Sequence, residues 1–313
     1  VADPRLVHVG NCVVDLVMYV PALPEPGGDV LAEHSGLTAG GALNTMVAAR
    51  RQGLPVVYGG THGTGLSGDL CRRQLAEADI TVAHPVLSGV DTGVTVALVD
   101  HAGERTFATS VGAEARLTAS HLAALEVRPG DVVCVSGYGL LHPSNGPALA
   151  DWLPTLDPAV IVVVDPAPLV ADIPARIRTA VWMRADWCSC NEREALAMTG
   201  AAGARAAAAA ITARAGVVVR TGGRGCLLAS PDGSVTAVPG FAVDVVDTNG
   251  AGDAHVGVFV AALAAGQTPP VAARRANAAA ALAVTRRGPT TAPGRAETDD
   301  FLAAHGGERT DET

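Results

Sequence analysis

The 313 residues contain no lysine, so all 22 basic side chains are arginine. That absence removes whole mechanisms. A Walker A loop needs a lysine at the phosphates, and Schiff-base or pyridoxal chemistry needs one as a nucleophile. A lysine-free chain that handles phosphate must rely on backbone amides, metal ions and arginine. Positive charge is short overall: the formal net charge is −9, whereas nucleic-acid binding calls for a clustered basic surface. No apolar run reaches membrane-spanning length, and no apolar segment follows a basic start. The six cysteines (12, 71, 134, 188, 190, 226) are scattered through apolar segments. Cys188 and Cys190 flank one serine, unlike the C-x-x-C pairs of structural zinc sites. Free buried thiols in a reducing cytoplasm are expected. The first strand exits into GNCVVD (10–15) without G-x-G-x-x-G, which sets aside a dinucleotide oxidoreductase.

Aromatic residues make up only 3% of the chain, while hydrophobic residues reach 49%. Alanine, valine and glycine dominate, as suits β-branched strands covered by alanine-rich helices. Strands are predicted at 6–20, 30–38, 55–60, 131–137, 159–166, 186–190 and 217–223. Helices are predicted at 40–53, 70–79, 145–153, 170–180, 192–200, 202–214 and 271–288. The alternation of the two implies an α/β fold, with a mostly parallel central sheet and helices on both faces. Residues 92–113 read as a β-hairpin with turn DHAG, and GCLLAS–PDG–SVTAVP reads as a second hairpin. No long linker or repeat interrupts the chain. The expectation is a single domain, 1–313, with a small β lid formed by about 16–38 and 92–111.

The most informative segment is VVDTNGAGDAHVGVFVAALAAG (245–266). An apolar β-branched run, FAVDVV (241–246), reads as a strand that stops at Asp247. A glycine-rich turn follows, then a long apolar helix. Gly250, Ala251 and Gly252 therefore stand at a helix N-terminus, where unpaired N–H groups and the helix dipole gather an anion. Asp253 falls in the first turn, where a carboxylate repels a resting phosphate. The role that explains it is a general base, taking a proton from an attacking hydroxyl while the amides hold the transferring phosphoryl group.

The run DTNGAGD (247–253) resembles the D-T-x-G-A-G-D signature of the ribokinase (PfkB) family of carbohydrate kinases. AGGALNTMVAARRQG (39–53) is similar to the family's amino-terminal signature, with Gln52 where a leucine is usual. The resemblance implies the three-layer α/β/α ribokinase-like fold. It also implies transfer of the γ-phosphoryl group of ATP to a hydroxymethyl of a sugar or sugar-like alcohol. Gly40, Gly41, Asn44 and Asp15 would bind the acceptor. CNEREA (190–195) is similar to the family's N-x-x-E motif, placing Asn191 and Glu194 near magnesium and the phosphates. The two also have the spacing of a helix capping box. Arg220, Gly222 and Gly225 match the segment beside the nucleotide, and Asn277 a helix beside adenine. A monovalent cation, potassium, is implied among Asp247, Asn249, Ala283, Arg286, Gly288 and Thr291. Two departures bear on the substrate. His255 stands where many members carry phenylalanine, and it reads as packing. The loop THGTGLSGD (61–69) offers Ser67 and Asp69 in place of the usual acid.

A nucleoside kinase of the same fold would want a lid aromatic to stack a base, and the lid offers only Tyr19 and Phe107. A non-catalytic sugar-binding homologue would have no need of Asp253. The acceptor's identity, and whether the lid mediates a homodimer, stay open at this level. No nucleic-acid or membrane partner is expected.

Overall fold

The computed structural model describes residues 3–305. Its strands are β1 (Leu6–His8), β2 (Cys12–Tyr19), β3 (His34–Gly41), β4 (Val56–Tyr58), β5 (Thr81–Val82), β6 (Val94–Val99) and β7 (Arg105–Ser110). They continue as β8 (Val132–Ser136), β9 (Ile161–Asp165), β10 (Trp187–Asn191), β11 (Gly216–Arg220), β12 (Gly225–Ala229) and β13 (Val235–Pro239). Nine form one sheet in the order β13-β12-β11-β10-β9-β8-β1-β4-β5. It is parallel from β5 to β11, and the hairpin β12–β13 closes one edge antiparallel.

Alternate side chains of the central strands enter two different cores, as the period of two demands. Leu6, Val132, Cys134, Val163 and Val218 join one. Val7, Val9, Val133, Val135, Val162 and Val164 join the other. Each fully buried valine contributes roughly 1.5–3 kcal/mol. Helices 42–51, 251–264 and 269–284 cover the first face, and helices 145–152 and 175–184 the second. The helix Ala251–Ala264 is buried on all sides from Ala254 to Ala262, which explains why its sequence is apolar all round. Gly257 lets it approach helix 42–51. A Cβ there would collide with the Thr45 carbonyl and stand 2.6 Å from Ala48 Cβ.

The remaining strands form a second sheet, β3-β2-β6-β7. The predicted hairpin at 92–113 is present as β6–β7. β2 pairs with β3 antiparallel and with β6 parallel. The run 6–20 reads as a buried strand passing into an edge or lid strand after Asp15; the chain divides earlier, after His8, and this sheet begins at Cys12. One expected strand is absent. Residues 241–246 pair with no strand, and Val245 and Val246 are 62% and 54% exposed. The segment hangs instead on helix 269–284, with the N–H groups of Val246 and Asp247 both donating to the Val284 carbonyl. β13 ends the nine-stranded sheet, and the β-branched run pairs neither with it nor with any other described strand.

All six cysteines are buried and free. Among the described residues no helix is long and apolar enough to cross a membrane.

Candidate active site

β1 lies between β4 and β8, so the chain leaves it in one direction and later returns on its other side. Such a switch point opens a crevice at the carboxyl ends of parallel strands, where α/β sheets bind ligands. Asp165, Asn191 and Arg220 end β9, β10 and β11. They gather on that side with the turn at 247–253.

The helix at the turn starts from Gly250, whose φ of 74° is left-handed. A Cβ at this position would also collide with the Pro289 carbonyl. Glycine is therefore required twice over, by conformation and by space. Gly250, Ala251 and Gly252 present the helix N-terminus as the sequence implied. The Arg220 guanidinium borders it, since a Cβ on Gly252 would stand 3.6 Å from Arg220 Nε.

Asp253 sits in the first helical turn. Asn44 Nδ2 donates to its Oδ2 at 3.0 Å, and Thr45 Oγ1 donates to its Oδ1 at 3.2 Å. Both donors are neutral. Burial, with Asp165 adding repulsion, pushes the Asp253 carboxyl up to about 6 against the pull of those two donors and of Arg220. Asp15 on β2 is raised to about 6 by burial and then by Asp253 itself. Two carboxylates thus face one space and resist joint ionisation. Gly40 packs against the Asp15 carboxylate, and Gly41 begins helix 42–51. Asn44 is 6% exposed, and its Oδ1 has no hydrogen-bond partner.

A second cluster surrounds Arg220. Its Nη1 donates to Ser189 Oγ at 2.8 Å, its Nη2 donates to Asp165 Oδ2 at 3.2 Å, and Glu194 Oε2 lies 3.7 Å away. Burial opposes this guanidinium's charge, yet Asp165 and Glu194 outweigh it and hold its pKa above the usual value. Asn191 and Glu194 form a reciprocal capping box on helix 192–199, with both bonds at 2.8 Å. Their spacing is therefore explained locally, while Glu194 still reaches the cluster.

The segment 221–225 divides. Gly222 has open space around it, whereas Gly225 packs tightly between Val238 and Gly240. Asn277, matched to a helix beside adenine, is held by internal bonds. It is 5% exposed; its Nδ2 donates to the carbonyls of Val238 and Pro239 at 3.0 Å, and its Oδ1 lies 3.1 Å from His255 Nε2. The amide ties the helix to β13 inside the core. Burial pushes His255 down to about 3, and its ring stacks on Phe259. It packs, as the sequence suggested. Gln52 is likewise internal, its Nε2 donating to the Pro293 carbonyl and Thr298 Oγ1, each at 3.1 Å.

The residues assigned to a monovalent cation lie together, but their oxygens face proton donors. Asp247 Oδ1 accepts from Asn249 N at 2.9 Å and from Arg105 Nη2 at 2.6 Å, while Oδ2 accepts from Gly288 N at 3.0 Å. Thr291 Oγ1 donates to the Ala283 carbonyl at 3.0 Å, and Arg286 Nη1 donates to the Thr291 carbonyl at 3.4 Å.

Several site residues were not identified from the sequence. Thr45 was hidden beside Asn44. Asp165 had a usable signal, an acid ending a buried strand just before a proline. Tyr138 follows β8, and its phenol is raised by burial and then by Asp165, Glu194, Asp253 and Asp15. Asp91, rather than Ser67 or Asp69, supplies the acid of the 61–69 loop, accepting from Ser67 N at 3.3 Å and Gly68 N at 2.8 Å. Arg105 carried no sequence signal at all.

Residues 3–295 match the family described as pfkB family carbohydrate kinase. The uncharacterised sugar kinase YegV of Escherichia coli K12 is 34% identical over 307 residues, 95% of this chain and 92% of that protein. A ribokinase of Haemophilus influenzae is 29% identical, covering 95% and 98%. Among solved structures, a ribokinase from Thermotoga maritima superposes with a TM-score of 0.81 at 25% identity, covering 96% of this chain and 99% of that one.

Proposed function

The chain belongs to the pfkB family of carbohydrate kinases, and from that premise we propose ATP-dependent phosphorylation of a primary hydroxyl on a sugar or sugar-like alcohol. The observation that carries this reading is Asp253, held by two neutral donors in the first turn of a helix whose N-terminus has no side-chain cap.

Asp253 takes the proton of the acceptor hydroxyl as its oxygen bonds to the γ-phosphorus. The bond from that phosphorus to the β-phosphate bridging oxygen breaks, and ADP leaves with the electron pair. The amides of Gly250, Ala251, Gly252 and Asp253 and the nearby Arg220 stabilise the equatorial oxygens. Asp15, Gly40, Gly41 and the unpartnered Oδ1 of Asn44 orient the acceptor. Asn191, Glu194 and Gly222 line the nucleotide side.

No group of three metal-ligating side chains occurs among the described residues. Mg²⁺ does not require one, because it binds chiefly through water and substrate phosphates with one or two carboxylates. Glu194 and Asp165 fit that need, being acids that among the described residues pair with one cationic side chain, Arg220. When bound there, Mg²⁺ supplies charge neutralisation at the phosphates.

Under the same reading the second sheet is the lid, excluding water from the transfer. Amide exchange should slow at 16–38 and 92–111 on acceptor binding; an unchanged rate there would make the sheet a fixed wall. The exposed Leu37 and Phe107 are the surface proposed for a homodimer through this lid. The free thiols suit the cytoplasm as the proposed location. The test of function is ADP release against a panel of sugars, polyols, cyclitols and nucleosides. A hydroxymethyl sugar or polyol should turn over; activity on nucleosides alone would replace this reading.

A further inference from the structure

Asp247 opens the phosphate-binding turn, and its carboxylate is only 8% exposed. A bare carboxylate at that place would oppose an incoming phosphate, so it needs a positive partner. Related kinases would be expected to use an alkali cation, which demands a shell of oxygens free to replace its water. The residues present do not fit that demand. Both Asp247 oxygens already accept bonds, two from backbone N–H groups and one from Arg105. Arg105 also approaches Thr248 Oγ1, with Nη1 at 3.5 Å. Close by, Arg286 brings a second guanidinium to the Thr291 carbonyl, and Thr291 Oγ1 donates to the carbonyls of Ala283 and Gly288 at 3.0 and 3.3 Å. Arg286 itself pairs with Glu297, so a free cation would have to displace the Arg105 guanidinium from Asp247 and break these bonds.

We propose that Arg105 is the resident cation of this site, neutralising Asp247 beside the phosphate turn so that turnover does not require an alkali ion. Arg105 begins β7, so the charge is delivered by the second sheet. Asp247 in turn holds the N–H groups of Asn249 and Gly288, which fixes the turn from both sides. Arg105 is thus a positioning residue, acting on the phosphoryl site through Asp247. This inference rests on the kinase reading.

The test compares the full-length protein with Arg105→Ala and Arg105→Lys, in potassium chloride and in tetramethylammonium chloride at equal ionic strength. Wild-type kcat/KM should be indifferent to the cation. Arg105→Ala should fall on the order of 10–100-fold, the usual effect of losing a charge-assisted bond. Added potassium or methylguanidinium should restore it, while Arg105→Lys should keep both activity and indifference. Melting temperature gives a readout independent of turnover: potassium should raise that of Arg105→Ala specifically and leave the wild type unmoved. Potassium stimulation of the wild type in either assay overturns the proposal. So does an Arg105→Ala protein that keeps full activity, or one whose loss neither cation repairs. Absence of any kinase turnover in the wild type would instead overturn the functional reading, with the melting comparison still deciding the cation.

Discussion

Asp247 and Asp253 bracket one seven-residue turn, yet they inhabit opposite surroundings. Asp247 is met by a guanidinium and two backbone N–H groups. Asp253 accepts bonds from an amide and a hydroxyl, both neutral, with Asp15 and Asp165 as negative neighbours that, with burial, outweigh the pull of Arg220. The first arrangement locks a negative charge in place as a structural anchor. The second leaves a carboxyl whose proton affinity is raised into the range useful for a base near neutrality. The same residue type thus meets opposite partners at the two ends of one turn, which suits Asp247 to an anchor and Asp253 to the base of the proposed transfer.

The largest break in that contrast should come from Asp253→Asn. Loss of the base is expected to lower kcat by about 10²–10⁴-fold, with the melting temperature and ATP binding nearly unchanged. Turnover within a few-fold of wild type would remove Asp253 from the chemistry.

Asp15→Ala is expected to weaken the acceptor by about 1.5–3 kcal/mol, as for charge-assisted bonds, leaving the KM for ATP unaltered. Removing the neighbouring carboxylate should also lower the pH at which Asp253 ionises. A rise in the KM for ATP with acceptor binding intact would mean that the two half-sites are reversed.

The pH dependence sharpens the comparison further. Asp253 must be ionised to act, so kcat/KM should climb through about pH 6 and then level off. Stability should run the other way. A carboxyl raised on folding contributes its stability below the unfolded carboxylate pKa, and that contribution is lost as pH rises through about 6. Asp253→Asn should flatten part of this loss in a denaturant titration followed across pH. A kcat/KM flat from pH 5 to 8 would contradict the raised base.

The smallest effect on turnover is expected at His255. His255→Phe removes one neutral bond and leaves Asn277 short of a partner, destabilising by about 1–3 kcal/mol without changing kcat. A large drop in kcat at an unchanged melting temperature would give the ring a role in the reaction that its burial argues against.

Much of the architecture was legible from local pattern. The predicted helices at 40–53 and 192–200 appear as 42–51 and 192–199, and the 92–113 hairpin formed in place. Residues 241–246 misled because β-branched composition records a willingness to pair, while pairing itself needs a free strand edge. The internal bonds of Asn277 were hidden differently: a lone amide on an alanine-rich helix does not reveal which side of the helix meets a neighbour.

By itself the sequence determined the alternation of strands and helices, the lysine-free route to phosphate, and the placement of an acid one turn into a helix N-terminus. These follow from nearest-neighbour geometry, which a chain encodes within a few residues. Which partners each acid meets was settled only by tertiary structure. Asn44 reaches Asp253 across 209 residues of sequence, and Arg105 reaches Asp247 across 142. The first meeting depends on two helices packing closely enough at Gly257 to bring their first turns together. The second depends on a separate sheet carrying an arginine over the turn. A carboxylate's charge state follows from its solvent and its partners in space, and neither is a property of the residues beside it in the chain.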